Sequence, residues 1–211
     1  MLNIRTFSLG PLQTNAYLVQ GEDTNKAFII DPGMNPKPLV RAIEDLEIEA
    51  IVLTHAHFDH MGGVEEIRKW KGCPVYLHAA EADWLESAKW NGSLRWPDVT
   101  GPLTTGPAEY DLAGGQTLNL VGHTFKVFHT PGHSPGSVSL LCGKDLFAGD
   151  VLFRSGVGRT DLPGGSEREL IDSIENTLYT FDDDVAVYPG HGPKTTIGFE
   201  KQNNPYVRAP R

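Results

Sequence analysis

Apolar residues recur along the first third of the chain in short β-branched or aromatic runs, at 3–7, 15–19, 26–30 and 48–53, each bounded by turn-forming residues. Such runs predict strands. Between the last two, Leu39, Ile43 and Leu46 return at helical spacing and predict a helix over 36–47. A second helix is expected from Asp59 toward Trp70, with Val64 and Ile67 facing inward, followed by a strand at 74–77 and a helix at 81–89. From 91 to 111 the pattern dissolves into Gly, Pro and Thr, with Trp90 and Trp96 nearby. A stretch of this length without periodicity is expected to form a lid or a substrate wall.

The second half is again strand-rich, at 116–120, 123–128, 137–141, 145–148 and 184–188. Ser166-Glu167-Arg168-Glu169 has the capping-box form, and Leu170, Ile171, Ile174 and Leu178 then make one apolar helix face. No linker or low-complexity segment interrupts the 211 residues. The expectation is one domain over 1–211, of the α+β class, with two sheets packed face to face and helices outside.

Composition narrows the function. A net charge of −9 argues against a broad phosphate-binding surface and so against a nucleic-acid partner. No segment approaches the apolar length of a bilayer span, and the first residues lack a basic stretch followed by an apolar one, so a cytoplasmic protein without a membrane partner is expected. Cys73 and Cys142 lie in no CxxC spacing, which leaves a disulfide open and gives a thiolate zinc site no support.

The candidate chemistry lies in Leu53-Thr54-His55-Ala56-His57-Phe58-Asp59-His60-Met61-Gly62-Gly63. On a helix His55 and His57 would point in nearly opposite directions. In extended chain His55, His57 and Asp59 share a face, and His60 joins them only after a bend, so the cluster belongs on a strand-to-helix loop. His133 in TPGHSPG, Asp150 in FAGD and His191 in PGHG each follow an apolar strand and have Gly beside them, a pattern that aims side chains at a common centre. Five imidazoles and two carboxylates are too many for one tetrahedral ion and natural for two. Without thiolates, zinc, iron and manganese are all chemically plausible. His129, just before the TPGHSPG turn, is a candidate for bracing it from behind.

Together THAHFDH, TPGHSPGS, FAGD and PGHG resemble, in order, the metal-binding motifs of the metallo-β-lactamase superfamily. The resemblance implies an αββα sandwich of two mixed sheets with helices on the outer faces. It assigns His55, His57 and His133 to one ion, Asp59, His60 and His191 to the other, and Asp150 to both. It also makes Asp31, in IDPG, a carboxylate supporting the ligands. Within the superfamily, GDVLF, GRTD and HGPKTT resemble the short bacterial hydroxyacylglutathione hydrolases, the glyoxalase II-like branch. Full-length glyoxalase II carries a further helical C-terminal region, whereas little chain follows His191 here.

The expected activity is hydrolysis of an anionic thioester of the S-acylglutathione type by two divalent ions, zinc first, with a hydroxide between them as nucleophile and Asp59 orienting it. Arg154, Arg159 and Lys194 are the sequence candidates for holding an anionic tail. The alternatives are a persulfide dioxygenase-like protein with one iron, a lactone or ester hydrolase, and a non-catalytic metal-binding module. The sequence leaves the oligomeric state open.

Overall fold

Side chains alternate sides along a strand, and in the segment 14–21, TNAYLVQG, both sides are predominantly buried. Ala16 and Leu18 enter one core cluster and Tyr17 and Val19 another. A strand buried on both faces belongs in the middle of a layered stack. The computed structural model, which describes residues 2–208, builds that stack from two six-stranded sheets.

The first sheet holds β1 (Leu2–Leu9), β2 (Thr14–Gly21), β3 (Lys26–Ile30), β4 (Glu47–Val52), β5 (Val75–His78) and β6 (Tyr110–Leu112) in chain order. Its first three strands are antiparallel and the rest continue in parallel from β3. The second sheet contains β7 (Thr117–Leu120), β8 (His123–His129), β9 (Val138–Cys142), β10 (Asp145–Gly149), β13 (Ala186–Pro189) and β14 (Thr195–Thr196), in the order β14-β13-β10-β9-β8-β7. Only β10 and β13 run parallel in it. A two-stranded ribbon of β11 (Leu152–Phe153) and β12 (Gly156–Val157) stands apart.

Aromatic rings join the two sheets. Phe28 meets Phe125 edge-on at 4.9 Å and Tyr17 meets Phe147 at 5.3 Å. The outer face of the first sheet is covered by α1 (Lys37–Ala42) and α3 (Val64–Lys71), whose Leu39, Val64 and Ile67 join the cluster of Leu18, Ile29 and Ile51. The second is covered by α4 (Glu167–Asn176) and α5 (Ile197–Asn203), where Leu170, Ile174 and Ile197 pack with Leu146, Ala148 and Val187. The architecture is the αββα sandwich of two mixed sheets that the alternating runs and the resemblance implied. No helix among the described residues is long and apolar enough to cross a membrane, and Cys73 and Cys142 are both free thiols.

Several elements differ from the sequence expectation, each for a local reason. The helix expected over 36–47 stops at Ala42 because Glu47 is drawn into β4 opposite Lys26. The helix expected from Asp59 splits into α2 (Phe58–Met61) and α3, because Gly62 and Gly63 pass so close to residues 32–34 that a Cβ on either would strike Met34 or the Gly33 carbonyl. In place of a helix over 81–89 there is a 3₁₀ turn, Ala79–Trp84, followed by irregular chain, because the Glu81 side chain is pulled fully inward. Residues 91–111 contain a 3₁₀ turn, Ser93–Arg95, and reach β6, which pairs with β5.

Ser166 Oγ accepts the Glu169 amide at 3.3 Å and opens α4 as the capping pattern predicts. Ser166→Ala is expected to lower the unfolding free energy by about 1 kcal/mol. Urea unfolding followed by circular dichroism measures this; an unshifted midpoint would mean that the cap contributes nothing.

Candidate metal centre

Four strand ends deliver side chains to one edge of the sandwich: Asp31 follows β3, His55 follows β4, Asp150 follows β10 and His191 follows β13. The sheets are fastened to each other there by backbone bonds from Val138 to the Thr54 carbonyl (2.9 Å) and from Asn15 to the Gly190 carbonyl (2.7 Å). His57 is still extended, at φ −71° and ψ 145°, and caps α2, so the bend falls before Asp59. His55 and His57 therefore leave the extended chain in one direction while Asp59 and His60 turn in another.

His133 Nε2 lies 2.9 Å from His57 Nδ1 and 3.2 Å from His55 Nε2. Donor atoms around a tetrahedral zinc, at about 2.0–2.1 Å from the ion, are roughly 3.3 Å apart, so this set has the size of an ion's coordination shell. In the second set Asp59 Oδ2 lies 3.2 Å from His191 Nε2 and 3.5 Å from His60 Nε2. Asp150 reaches both: Oδ2 is 3.5 Å from His133 Nε2 and from His191 Nε2, and Oδ1 is 3.4 Å from His60 Nε2. His60 Nε2 and Asp150 Oδ1 are buried without a hydrogen-bond partner, as expected of atoms shaped to hold a cation. Gly190 permits this approach, since a Cβ there would overlap Asp150 Oδ1.

For four of the five imidazoles, all but His57, the outward nitrogen explains which atom is offered. The Thr54 hydroxyl gives its one proton to Asp31 Oδ2 (2.6 Å), so it accepts from His55 Nδ1 (3.1 Å) and leaves His55 Nε2 bare. His60 Nδ1 donates to the same Asp31 oxygen at 2.9 Å. His133 Nδ1 donates to the Arg159 carbonyl (2.8 Å), and His191 Nδ1 to the Leu12 carbonyl (3.1 Å). Asp31 also lies close to His55 and His60 as a conceivable third donor set, but its oxygens are taken by Thr54 and His60. It orients ligands, and does so from a backbone with φ 49°, strain of the kind that tertiary structure sustains at functional sites.

The two sets differ in how they hold protons. Burial, reinforced by the neighbouring imidazoles, drives His55 well below the ordinary histidine range, and burial with His133 lowers His57 to about 3. His133 is lowered too, chiefly by burial. Burial would also lower His60 and His191, but Asp150 and Asp59 outweigh it, holding His60 well above its usual value and His191 at about 9. Burial would raise Asp59, yet His60 and His191 bring it to about 2.

Three supporting residues carry no motif and escape sequence reading, because their partners lie far along the chain. Thr14 Oγ1 donates to Asp59 Oδ2 at 2.7 Å. Asn15 Nδ2 donates to the carbonyls of Pro189 (3.0 Å) and Gly192 (2.8 Å), clamping the turn that carries His191. Glu81, fully buried, accepts from the amides of Ala56 (2.6 Å) and Gly136 (2.7 Å). Glu81 thus ties the loop of His55 and His57 to the turn of His133, the segments of the three-histidine set. A Cβ on Gly136 would lie 2.8 Å from Glu81 Cγ, which fixes a glycine there.

The centre opens into a cleft of about 380 Å³ whose lining includes His57, Asp59, His133, Asp150 and His191. Trp96, from the stretch expected to form a wall, lines it, while Trp90 stacks on Trp84 at 6.3 Å. Of the cations expected to hold an anion, only Arg159 lines the cleft. The structure places Arg154 over the Phe199 ring at 4.6 Å and Lys194 over Tyr188 at 4.2 Å, with its Nζ bonded to the Tyr188 hydroxyl. Exposed His129 stacks on His78 at 4.2 Å and bonds the Pro135 carbonyl at 2.8 Å, bracing the turn of His133 without touching a ligand.

Two donor sets sharing a carboxylate at the edge of an αββα sandwich form a candidate dinuclear metal site, and the chain belongs to the metallo-beta-lactamase superfamily, whose family model matches residues 9–191. Among curated relatives it is similar to the probable metallo-hydrolase YqgX of Bacillus subtilis, 41% identical over 96% of each chain. It is similar as well to the hydroxyacylglutathione hydrolase GloC of Haemophilus influenzae, 34% identical over 99% of each. Among solved structures, the BLEG-1 B3 metallo-beta-lactamase is 46% identical, with a TM-score of 0.92 over 97% of this chain and 99% of that one. TTHA1623, solved in a di-iron-bound form, is 40% identical, with a TM-score of 0.85 over 96% of this chain and all of that one.

Metal loading is expected to depend on pH at one position only. Ions at the Asp59 set must displace protons from His60 and His191, so their affinity rises with pH through the neutral range. The three-histidine set carries none to displace near neutrality, and its affinity stays level. Calorimetric titration with zinc between pH 6 and 8.5 separates the two; parallel pH dependence of both steps would contradict the assignment. Glu81→Ala is expected to weaken the three-histidine set by about 10- to 100-fold while the other holds. Metal per folded chain at limiting free zinc reads this directly, and equal loss at both sets would count against a local role.

Proposed function

We propose that this protein is a dinuclear metal-dependent thioester hydrolase acting on thioesters of the S-acylglutathione type. The observation that carries the reading is Asp150, which reaches into both donor sets and makes one reaction centre of them. When bound, two divalent ions supply Lewis acidity toward a carbonyl oxygen and lower the pKa of a coordinated water. His55, His57 and His133 would hold one, Asp59, His60 and His191 the other, and Asp150 both. Zinc is our first assignment; the donor set also suits iron, as in the di-iron relative.

The chain's own residues do the remaining work. The Thr14 bond fixes Asp59 by Oδ2, leaving Oδ1 as the acceptor that orients a water at the mouth of the centre. Asp31 and the carbonyls of Arg159 and Leu12 keep the imidazole lone pairs aimed inward throughout turnover. The net reaction adds water across the thioester: a C–O bond forms, the C–S bond breaks, and the thiol leaves with a proton. The 34% identity to GloC over nearly the full length of both chains supports the choice of thioester. A single-iron oxygenase needs only two histidines and one carboxylate, whereas this chain keeps seven donors in two sets.

Turnover of S-D-lactoylglutathione, of simple thioesters and lactones, and of a β-lactam by protein purified without added metal tests this reading, alongside metal analysis. We expect thioester hydrolysis with two metals per chain. Asp150→Ala is expected to lower kcat/KM by more than the roughly 10- to 100-fold that loss of an outer ligand partner costs, together with metal content. One equivalent of iron without thioesterase activity would overturn the proposal.

A further inference from the structure

The walls of the cleft differ in kind from its floor. Beyond the metal-ligand side chains it is bounded by Leu12, Phe58, Trp96, Phe153, Val157 and Leu162. Apart from the indole N–H of Trp96, the other polar side chains that line it are Asn91 and Arg159, and both already have partners. The Asn91 amide donates to the carbonyls of Trp84 and Leu103 and accepts from Ser93 N. Arg159 makes a two-pronged bond to Asp161, 2.7 Å on each prong, with its guanidinium 5.9 Å from the Trp96 ring centre. A substrate carboxylate reaching the remaining Nη1 of Arg159 would meet an exposed guanidinium whose charge Asp161 already balances, at little gain. Arg154 and Lys194, committed to aromatic rings, do not line the cleft.

Resting on the thioester reading, we infer that this cleft selects its substrate by an apolar acyl group, packed among these six side chains, while the thiol half stays outside. Thioesters of cellular thiols are polar and often anionic on the sulfur side, so the half that matches an apolar wall whose one lining cation is already paired is the acyl side. Packed against Leu12, Phe58, Phe153, Val157 and Leu162, the hydroxyl of a hydroxyacyl group such as lactoyl exchanges water for apolar side chains, and that costs binding. Each buried methylene gains.

The test uses the metal-loaded full chain and two series of thioesters, one of glutathione and one of the uncharged thiol N-acetylcysteamine. Each series carries acetyl, butanoyl, hexanoyl, D-lactoyl and 2-methylpropanoyl groups, with rates corrected for each ester's reactivity toward free hydroxide. We expect kcat/KM to rise by about fourfold per methylene from acetyl to hexanoyl in both series. We also expect 2-methylpropanoyl, which carries a methyl where lactoyl has its hydroxyl, to exceed D-lactoyl. Trp96→Ala is expected to flatten the dependence on length. Leu162→Ser, at a half-exposed position where folding loses little, should flatten it less. Hydrolysis that is flat or falling with length, or faster for lactoyl than for 2-methylpropanoyl, would overturn this inference and leave the thioesterase reading standing. No turnover of any thioester by chain shown to hold two metals would remove both.

Discussion

The contacts around the centre hold buried nitrogen and oxygen donor atoms face to face. His133 Nε2 sits 2.9 Å from His57 Nδ1 and 3.2 Å from His55 Nε2, and Asp150 Oδ1 and His60 Nε2 are buried with no hydrogen bond. Unpaired buried polar atoms cost free energy unless a ligand completes them. The arrangement persists because every ligand except His57 is gripped from behind or set on a tight turn. One relay is especially economical: His55 to Thr54 to Asp31, with His60 donating to the same carboxylate, so a single buried anion orients one ligand of each set. The strained φ of Asp31 follows from that demand.

The layers follow from the same demand. Each sheet contributes a parallel pair, β3 with β4 and β10 with β13, and parallel neighbours end on the same side, where loops can carry converging side chains. The sheets must then be locked at that edge. Phe28, Phe125, Tyr17 and Phe147 fill the space between them, and backbone bonds from Val138 and Asn15 close the rim. Glu81 and Asn15 add clamps that belong to different donor sets, the first to the three histidines and the second to the turn of His191. Stability of the edge and precision of the centre are thus set by the same few contacts.

The candidate donors are legible in the sequence because each is announced locally, by histidine spacing within one loop or by a glycine turn after an apolar strand. The strands are legible because alternation is a local signal. What escapes is everything decided by partners more than about ten residues away. Glu81 looks like the start of a helix until amides at 56 and 136 capture it. Gly62 and Gly63 look tolerable inside a helix until residues 32–34 press on them. Thr14 and Asn15 read as ordinary strand positions. Arg154 and Lys194 mislead in the opposite sense: nearness in sequence to ligands suggests a place in the cleft, but each long stem lies on an aromatic ring instead.

This division between local and distant signals also separates reaction from selection. The floor comes from four short motifs that can be read residue by residue. The walls come from Trp96 in an aperiodic stretch, from Phe153 and Val157 in a two-stranded ribbon and from Leu162 in a loop, none of which carries a motif. The ribbon is itself held from the far side, where Glu200 of α5 accepts the Ser155 amide at 3.0 Å and Asn204 donates to the Gly156 carbonyl at 3.1 Å. A change in α5 can therefore reshape one wall without touching a ligand. Relatives that share the floor are free to differ in what they bind, which is why the histidine pattern identifies the superfamily while the substrate must be argued from the shape and polarity of the cleft.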